Sequence, residues 1–491
     1  MFARRLPLKA RTHKAVFRTT LPEGVSAASA FAWHAAPGAF ERLMPPWERM
    51  RVFSREMGGE AVPGAGPSAI GEGARLEFGV RQGPVWMRWV ARHGPCVAGS
   101  EFNDVQERGP FASWKHRHKF MTSREGRACL EDDIEFALPL GAVGEAGFSL
   151  ARATLRRMFW WRHLRTAQDL ARHAAFADRP RLRVAISGVS GQIGSALASF
   201  LTTGGHTVVP MVRAGTPQPE GIAWDWERKF IDERALEGVD AVVHLAGAPV
   251  AGQRWSESYK KLIRDSRVEG TRLVASALAR MKQPPATMIL ASGIGYYGHR
   301  GNESCDESMT LGTGFLAEVS RDWEEAARPA EEAGVRVVKA RIGMVLSPSG
   351  GALAKLILPT RLGLSARLGS GTQYVSWIGL DDCIGALHHA LHSPALAGPV
   401  NVSAPEPVMQ HEFAQGLATA LGRWSVLAVP EGLAGLAFGE IAREVLLRGS
   451  RVEPTRLTGA GFSFLTPTLA QALAWEMGVG GAWRDFGEVS R

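Results

Sequence analysis

The apolar run Arg183-Val-Ala-Ile-Ser187 feeds directly into glycines at 188, 191 and 194. A strand that ends in glycines spaced three apart, with helical sequence from Ser195 to Thr202 behind it, reads as a dinucleotide-binding turn. Gly188 would permit the sharp exit from the strand. Gly191 would let a pyrophosphate approach the backbone, and Gly194 would let the helix lie close to the sheet. Ser190, Gln192 and Ile193 complete the turn. The free N–H groups and positive dipole end of the helix suit an anion at this point. The competing reading is an ordinary glycine-rich turn, which the flanking strand and helix disfavour.

A chain of 491 residues with 45% apolar composition exceeds a single core, which stops growing at roughly 250–300 residues, so two or three domains are expected. The formal charge of +9 and pI near 9.7 come from scattered arginines, with no block of like charges, so no nucleic-acid partner is expected. Cys96, Cys129, Cys305 and Cys383 are far apart and lack both disulfide-framework and metal spacing. Met1–Lys14 is basic but has no apolar secretory core, and no run is long enough for a membrane span. A cytoplasmic location is the expectation.

Two patterns divide the chain. From about residue 8 to 178, period-two runs such as those starting at Ala15, Ala74, Val85 and Leu130 predict antiparallel strands with one buried face. Ala27–Met44 carries helical spacing broken at Pro37, and a long amphipathic segment spans about Glu145–Ala175. This combination predicts a curved sheet gripping a helix. From 181 to 428, strands at Leu182–Ser187, Thr207–Val212, Ala241–Leu245, Thr287–Ser292, Val335–Arg341 and Val400–Val402 alternate with helices. Such alternation predicts a doubly wound parallel sheet. Residues 429–480, with a helix at Ala437–Leu447, are expected to form a small appendage on that second domain.

The second strand of the parallel region ends in Arg213, where an enzyme using NAD would place an acid against the ribose 2′-hydroxyl. Arg213 suits a 2′-phosphate and favours NADP(H) over NAD(H). A solvated arginine at a strand end is the alternative. Leu245, Ala246 and Gly247 are small or apolar residues at the end of a third strand and form a candidate cofactor wall, or a packing surface.

Together, Ser187-Gly-Val-Ser-Gly-Gln-Ile-Gly194, His244-Leu-Ala-Gly247, Val268-Glu-Gly-Thr271 and Ser292-Gly-Ile-Gly-Tyr-Tyr-Gly298 resemble the epimerase-like branch of the extended and atypical short-chain dehydrogenase/reductases. Arg341-Ile-Gly-Met-Val-Leu346, Ser376-Trp-Ile-Gly-Leu-Asp-Asp382 and Asn401-Val-Ser-Ala-Pro405 extend the likeness. Gly439-Glu440, Val452-Glu-Pro454 and Ala460-Gly-Phe462 resemble the small C-terminal domain of unknown function fused to that family. Phe102-Asn-Asp-Val-Gln106 and the run Gly109–Phe120 resemble START-like domains of the polyketide cyclase/dehydrase type. The resemblance implies an α/β Rossmann-type doubly wound parallel sheet, preceded by an α+β helix-grip (START-like) domain that holds an apolar ligand. It also implies that Arg341 belongs to the cofactor site and that a homodimer can form.

The same comparison exposes a gap. The superfamily uses a Tyr-x-x-x-Lys pair in which lysine and cofactor lower the tyrosine pKa. The segment Thr313–Trp323 has neither residue, and Phe315 and Val319 stand at that spacing. The remaining candidates are Ser292 as the substrate-polarising serine, one residue further from Gly298 than usual, and Tyr296 or Tyr297 as proton donor or cofactor wall. Asp381 or Asp382 is expected to cap the following helix. His116 and His118 share one strand face and could meet an acidic ligand, each other or solvent; with no third ligand in view, no metal site is expected.

Three functions follow. The leading one is an NADP(H)-binding oxidoreductase or epimerase acting on a small carbonyl or sugar-type substrate. The alternatives are a non-catalytic NADP(H)-binding sensor or scaffold, and a lipid or polyketide carrier.

Overall fold

The computed structural model describes residues 11–490 except 64, 65, 67, 217–220 and 426, so most of the basic start lies outside the described residues. The chain forms two compact units. One comprises residues 11–178 with 202–205 and 480–490, and the other comprises 179–201 with 206–479.

In the first unit, β1 (Thr12–Thr20) precedes two short helices, α1 (Ala27–Ala35) and α2 (Ala39–Arg42), which Pro37 separates. Six strands follow: β2 (Met50–Glu56), β3 (Arg75–Gln82), β4 (Val85–His93), β5 (Glu101–Arg108), β6 (Ser113–Thr122) and β7 (Ala128–Ala137). The sheet runs β2-β3-β4-β5-β6-β7-β1, antiparallel throughout. The long helix α3 (Phe148–Ala174) lays Phe148, Leu155 and Phe159 against Ala15 and Phe17 of β1, Trp114 of β6 and Ile134 and Phe136 of β7. The alternation seen in the sequence is this packing: buried and exposed residues take turns along β1 and β6 because only one face meets the helix. Residues 480–490 also cluster with this unit, and Glu488–Ser490 adds an eighth strand beside β1. Phe486 stacks 5.8 Å from Phe17.

The second unit is a parallel sheet. Its strands are β8 (Arg183–Ser187), β9 (Thr207–Arg213), β10 (Ile222–Asp225), the antiparallel edge β11 (Phe230–Ile231), β12 (Ala241–His244), β13 (Thr287–Gly293), β14 (Arg336–Ile342) and β15 (Gly398–Val402). Among the intervening helices are α4 (Gln192–Thr203), α5 (Glu257–Arg280), α6 (Phe315–Glu325) and α7 (Leu380–His392). The order is β11-β10-β9-β8-β12-β13-β14-β15, so the winding reverses between β8 and β12. Alternate residues of each strand go to opposite cores. Val184, Ile186, Val243 and Val338 pack with Leu197 and Ile384, whereas Ala185, Val242, Met288 and Val337 pack with Val274 and Leu278. Helices on both faces explain the continuous apolar runs of these strands. Open sheets of this kind bind ligands beyond the strand carboxyl ends at the reversal point.

Candidate functional site

At the reversal, β8 ends in Ser187 and the chain turns at Gly188, whose φ is +70°. A side chain there would be strained, and a Cβ would lie 3.0 Å from the Ala246 nitrogen. Gly194 is equally restricted, because a Cβ would fall 2.2 Å from the Gly188 carbonyl oxygen. The first turn of α4 therefore rests directly on the loop. Ser190 and Gly191 are exposed at its tip, with Gln192 and Ile193 partly covered behind them. The first amides of a helix have no partner within it, so this tip presents donors outward.

Ser187 fixes the facing wall. Its hydroxyl accepts from the Leu245 N–H at 3.1 Å and the Ala246 N–H at 3.2 Å, and donates to His244 Nδ1 at 2.7 Å. A hydroxyl has one donor and two acceptor sites, so Ser187 is saturated. Burial pushes the His244 pKa down to about 4, so the ring is a neutral acceptor and its other nitrogen carries the hydrogen. Gly247 continues this wall, where a Cβ would meet the Arg267 side chain at 3.3 Å. Arg213 ends β9, is exposed, and pairs across to Trp224 of β10. The turn, Leu245–Gly247 and Arg213 thus stand at the carboxyl ends of β8, β12 and β9.

Ser292, Tyr296, Tyr297 and Arg341 form a separate group. Arg341 is buried and gives Nε and Nη2 to the two oxygens of Glu324 at 2.8 and 2.9 Å. Its Nη1 donates to the Tyr297 hydroxyl at 3.1 Å, and its guanidinium lies 3.4 Å from the centre of the Tyr296 ring. Burial opposes the Arg341 charge, but Glu324 outweighs it and holds the pKa above the ordinary value. The Ser292 hydroxyl donates to the same Glu324 at 2.8 Å. Tyr297 is fully buried and donates to Asn401 Oδ1 at 2.6 Å. Burial pushes its phenol up to about 12, against the pull of Arg341, opposite to what proton exchange near neutrality requires. The Tyr297 hydroxyl and three of the Arg341 N–H groups are thus engaged within this network. Tyr296 alone among the three candidates stays partly exposed.

On α6, Val319 packs with Tyr259 and Ile263, and Phe315 meets Trp255 edge-on at 5.1 Å. Neither position carries a proton-transfer group. Asp381 and Asp382 do not cap α7, whose N-cap is Gly379 without a side-chain bond. Asp382 instead accepts from the amides of Leu465 and Thr466, and Asp381 accepts from the Trp475 indole at 2.8 Å.

The first unit brings together residues that are distant in sequence. His116 and His118 of β6 face Asp104 of β5, Asp132 of β7 and His163 of α3, and all five are at least nine-tenths buried. His116 Nε2 lies 3.1 Å from Asp132 Oδ1, and His163 Nε2 lies 2.8 Å from Asp132 Oδ2. Sequence reasoning singled out the two β6 histidines but missed both aspartates, as it missed Ser187, Glu324 and Asn401.

Strand order, glycine turn and reversal point define the second unit as a Rossmann-type unit of the short-chain dehydrogenase/reductase superfamily. Residues 184–403 match the NAD dependent epimerase/dehydratase family, and 429–476 match a domain of unknown function, DUF1731. The chain belongs to the epimerase family: an epimerase family protein of Mycobacterium bovis is 45% identical over 292 residues, 60% of this chain and 96% of that one. The crystal structure of a nucleoside-diphosphate sugar epimerase from Corynebacterium glutamicum superposes with a TM-score of 0.75 at 31% identity, over 94% of this chain and 90% of that one. Human epimerase family protein SDR39U1, crystallised with NADPH, gives 0.56 at 34% identity, over 60% of this chain and 99% of that one. Among the described residues no helix is long and apolar enough to cross a membrane.

Proposed function

We propose that this protein binds NADP(H) at the Gly188–Gly194 turn and acts as an oxidoreductase or epimerase on a small carbonyl or sugar-type substrate. The observation that carries this reading is the fit of Gly188 against Leu245 and Ala246, held by Ser187, at the point where the sheet reverses. The amides at the start of α4 would hold the pyrophosphate, and Arg213 would meet the 2′-phosphate. A nicotinamide, when bound, supplies or accepts a hydride. Tyr296 is the candidate that keeps partial exposure for proton transfer, and Arg341 holds its ring face. The NADPH in the human relative supports the cofactor. The first unit is a START-like helix-grip domain for an apolar ligand in this reading, supported by the apolar packing of α3 along the sheet.

A second reading, a non-catalytic NADP(H)-binding sensor or scaffold, is favoured by one observation: Ser292 and Tyr297 both spend their hydroxyl hydrogens inside a buried network. Parallel calorimetric titrations with NADPH and NADH, repeated on Arg213→Glu, test the shared premise. NADPH should bind at least tenfold more tightly than NADH and lose that advantage in the variant. An absence of heat with either nucleotide would sink both readings and leave the carrier function. Turnover of carbonyl or nucleoside-diphosphate sugar substrates then separates enzyme from sensor.

A further inference from the structure

The inward row of β6 reads Trp114, His116, His118, Phe120, all buried, so two imidazoles interrupt an otherwise aromatic face. Buried polar groups of this kind require partners. Strand pairing supplies them: Asp104 lies directly opposite His116, and Asp132 lies directly opposite His118. The two carboxylates play different parts. Asp132 accepts from His116 Nε2 and His163 Nε2, and His118 Nδ1 sits 2.6 Å from its Oδ1, so close to a carboxylate that this nitrogen carries the His118 hydrogen and leaves the Nε2 lone pair free. With its Nε2 hydrogen directed to Asp132, neutral His116 turns the lone pair of Nδ1 toward Asp104.

On the other side, Asp104 Oδ2 stands 3.4 Å from His116 Nδ1 and 3.8 Å from His118 Nε2. One ligand atom from each of the three residues lies within 4.8 Å of the others. Three electron-pair donors converge in a buried space, and that arrangement is repulsive unless positive charge lies among them. A second proton on His116 is one source. Burial lowers its pKa, but Asp104 and Asp132 outweigh burial and push it up to about 9. The spacing suits a proton poorly, because charge-assisted N–H to carboxylate bonds run at about 2.7–2.9 Å. A metal bonded at about 2.0–2.2 Å to each of its tetrahedral ligands sets neighbouring ligand atoms roughly 3.3–3.6 Å apart, and the two separations here are 3.4 and 3.8 Å. Arg162 of α3 is a further positive charge near both carboxylates, with its Nε given to the Leu43 carbonyl at 2.9 Å. His93, opposite Asp104 in the pairing of β4 with β5, offers a further buried Nδ1 that has no hydrogen-bond partner.

We propose that Asp104, His116 and His118 bind one divalent transition-metal ion, through Oδ2, Nδ1 and Nε2 respectively, with Asp132 as the positioning residue that orients His116. Two imidazoles and a carboxylate suit Zn²⁺, Fe²⁺ or Co²⁺, and three protein ligands leave a position for water or for an oxygen of a bound small molecule. A carboxylate behind a ligating histidine fixes its tautomer and raises its basicity. The site is independent of whether the Gly188 turn holds a nucleotide.

The test uses the full chain, stripped with a chelator and titrated with Co²⁺ alone, then Zn²⁺ alone, at neutral pH. One Co²⁺ per chain is expected, with visible absorption strong enough to exclude six-coordination and displaced by Zn²⁺. Asp104→Asn or His118→Asn should weaken binding at least 100-fold, and Asp132→Asn about 10- to 100-fold. A second buried cluster, His206, His388 and His392, is the internal control. Absence of stoichiometric binding, or binding that survives Asp104→Asn and is lost in His206→Ala, would overturn the assignment. Should Asp104→Asn not fold, X-ray absorption at the zinc edge of the wild-type protein decides: two imidazoles with oxygen support it, and three imidazoles refute it.

Discussion

Each unit buries a cluster of ionisable side chains, and the two are closed in different ways. Around Glu324, each polar side chain has a partner: Arg341 engages both carboxylate oxygens, Ser292 adds a third bond, and Tyr297 passes its hydrogen to Asn401. Around Asp104, His116 Nδ1 and His118 Nε2 stand 3.4 and 3.8 Å from the carboxylate, with no hydrogen bond between them. A closed network of this kind holds strands and helices in register. An unsaturated one keeps its electron pairs for something else. The lesson is that burial and ionisability alone do not mark a site, because the count of donors against acceptors must be made.

The largest effect should come from breaking the closed network. Glu324→Ala leaves the Arg341 charge buried and unpaired, so chemical denaturation should record a loss of about 3–5 kcal/mol, and a loss below 1 would mean that the pair is not closed as described. Next in size is acid. His244 has a folded pKa of about 4, below the unfolded value of about 6.5. Its stabilising share is therefore complete above pH 6.5 and is lost as the pH falls from 6.5 toward 4, where the unfolded chain takes up the proton first. That share is on the order of 3 kcal/mol. Denaturation at stepped pH should show the decline in wild type and a shallower one in His244→Gln. The Glu324 network contains no histidine, so Glu324→Ala should keep the wild-type slope in that window.

Metal should then distinguish the clusters. Zn²⁺ at about 100 times its Kd should add ~2.7 kcal/mol to the unit holding Asp104, seen as an upward shift of one calorimetric transition. A shift confined to the other transition would put the metal in the other unit. The smallest effect is Tyr297→Phe, which removes one donor and one acceptor from the closed network. It should cost about 1–2 kcal/mol and leave NADPH affinity within twofold, measured by denaturation and calorimetry on the same preparation. A large loss of affinity at unchanged stability would place Tyr297 against the cofactor.

What could be read from the sequence was whatever a local pattern dictates. Alternation along β1 and β6 marked a sheet covered on one face, and Pro37 marked the break between α1 and α2. The glycines announced the turn because backbone sterics alone require them. The four-residue β10 was missed, being too short to show a period. Ser187 and His244 are 57 residues apart, and their bond exists only because β8 and β12 become neighbours at the reversal. Asp104 and Asp132 meet the β6 histidines through the register of three strands, which no spacing rule records. Family likeness singled out Arg341 and Tyr297, but their partners Glu324 and Asn401 lie on other elements and no local pattern points to them.

The strand Glu488–Ser490 has a consequence for how the chain is made. Lys14, Ala15 and Val16 of β1 pair with Ser490, Val489 and Glu488, so the earliest described strand waits for the last. During synthesis, β1 has an open hydrogen-bonding edge until some 300 residues of the other unit have left the ribosome, and such edges invite pairing with other chains. Arg156 clasps the returning segment through the carbonyls of Arg484 and Gly487. Dissecting the protein at residue 178 would therefore yield a fragment with a raw edge, and a faithful isolated first unit would have to carry the tail in trans or through a short linker.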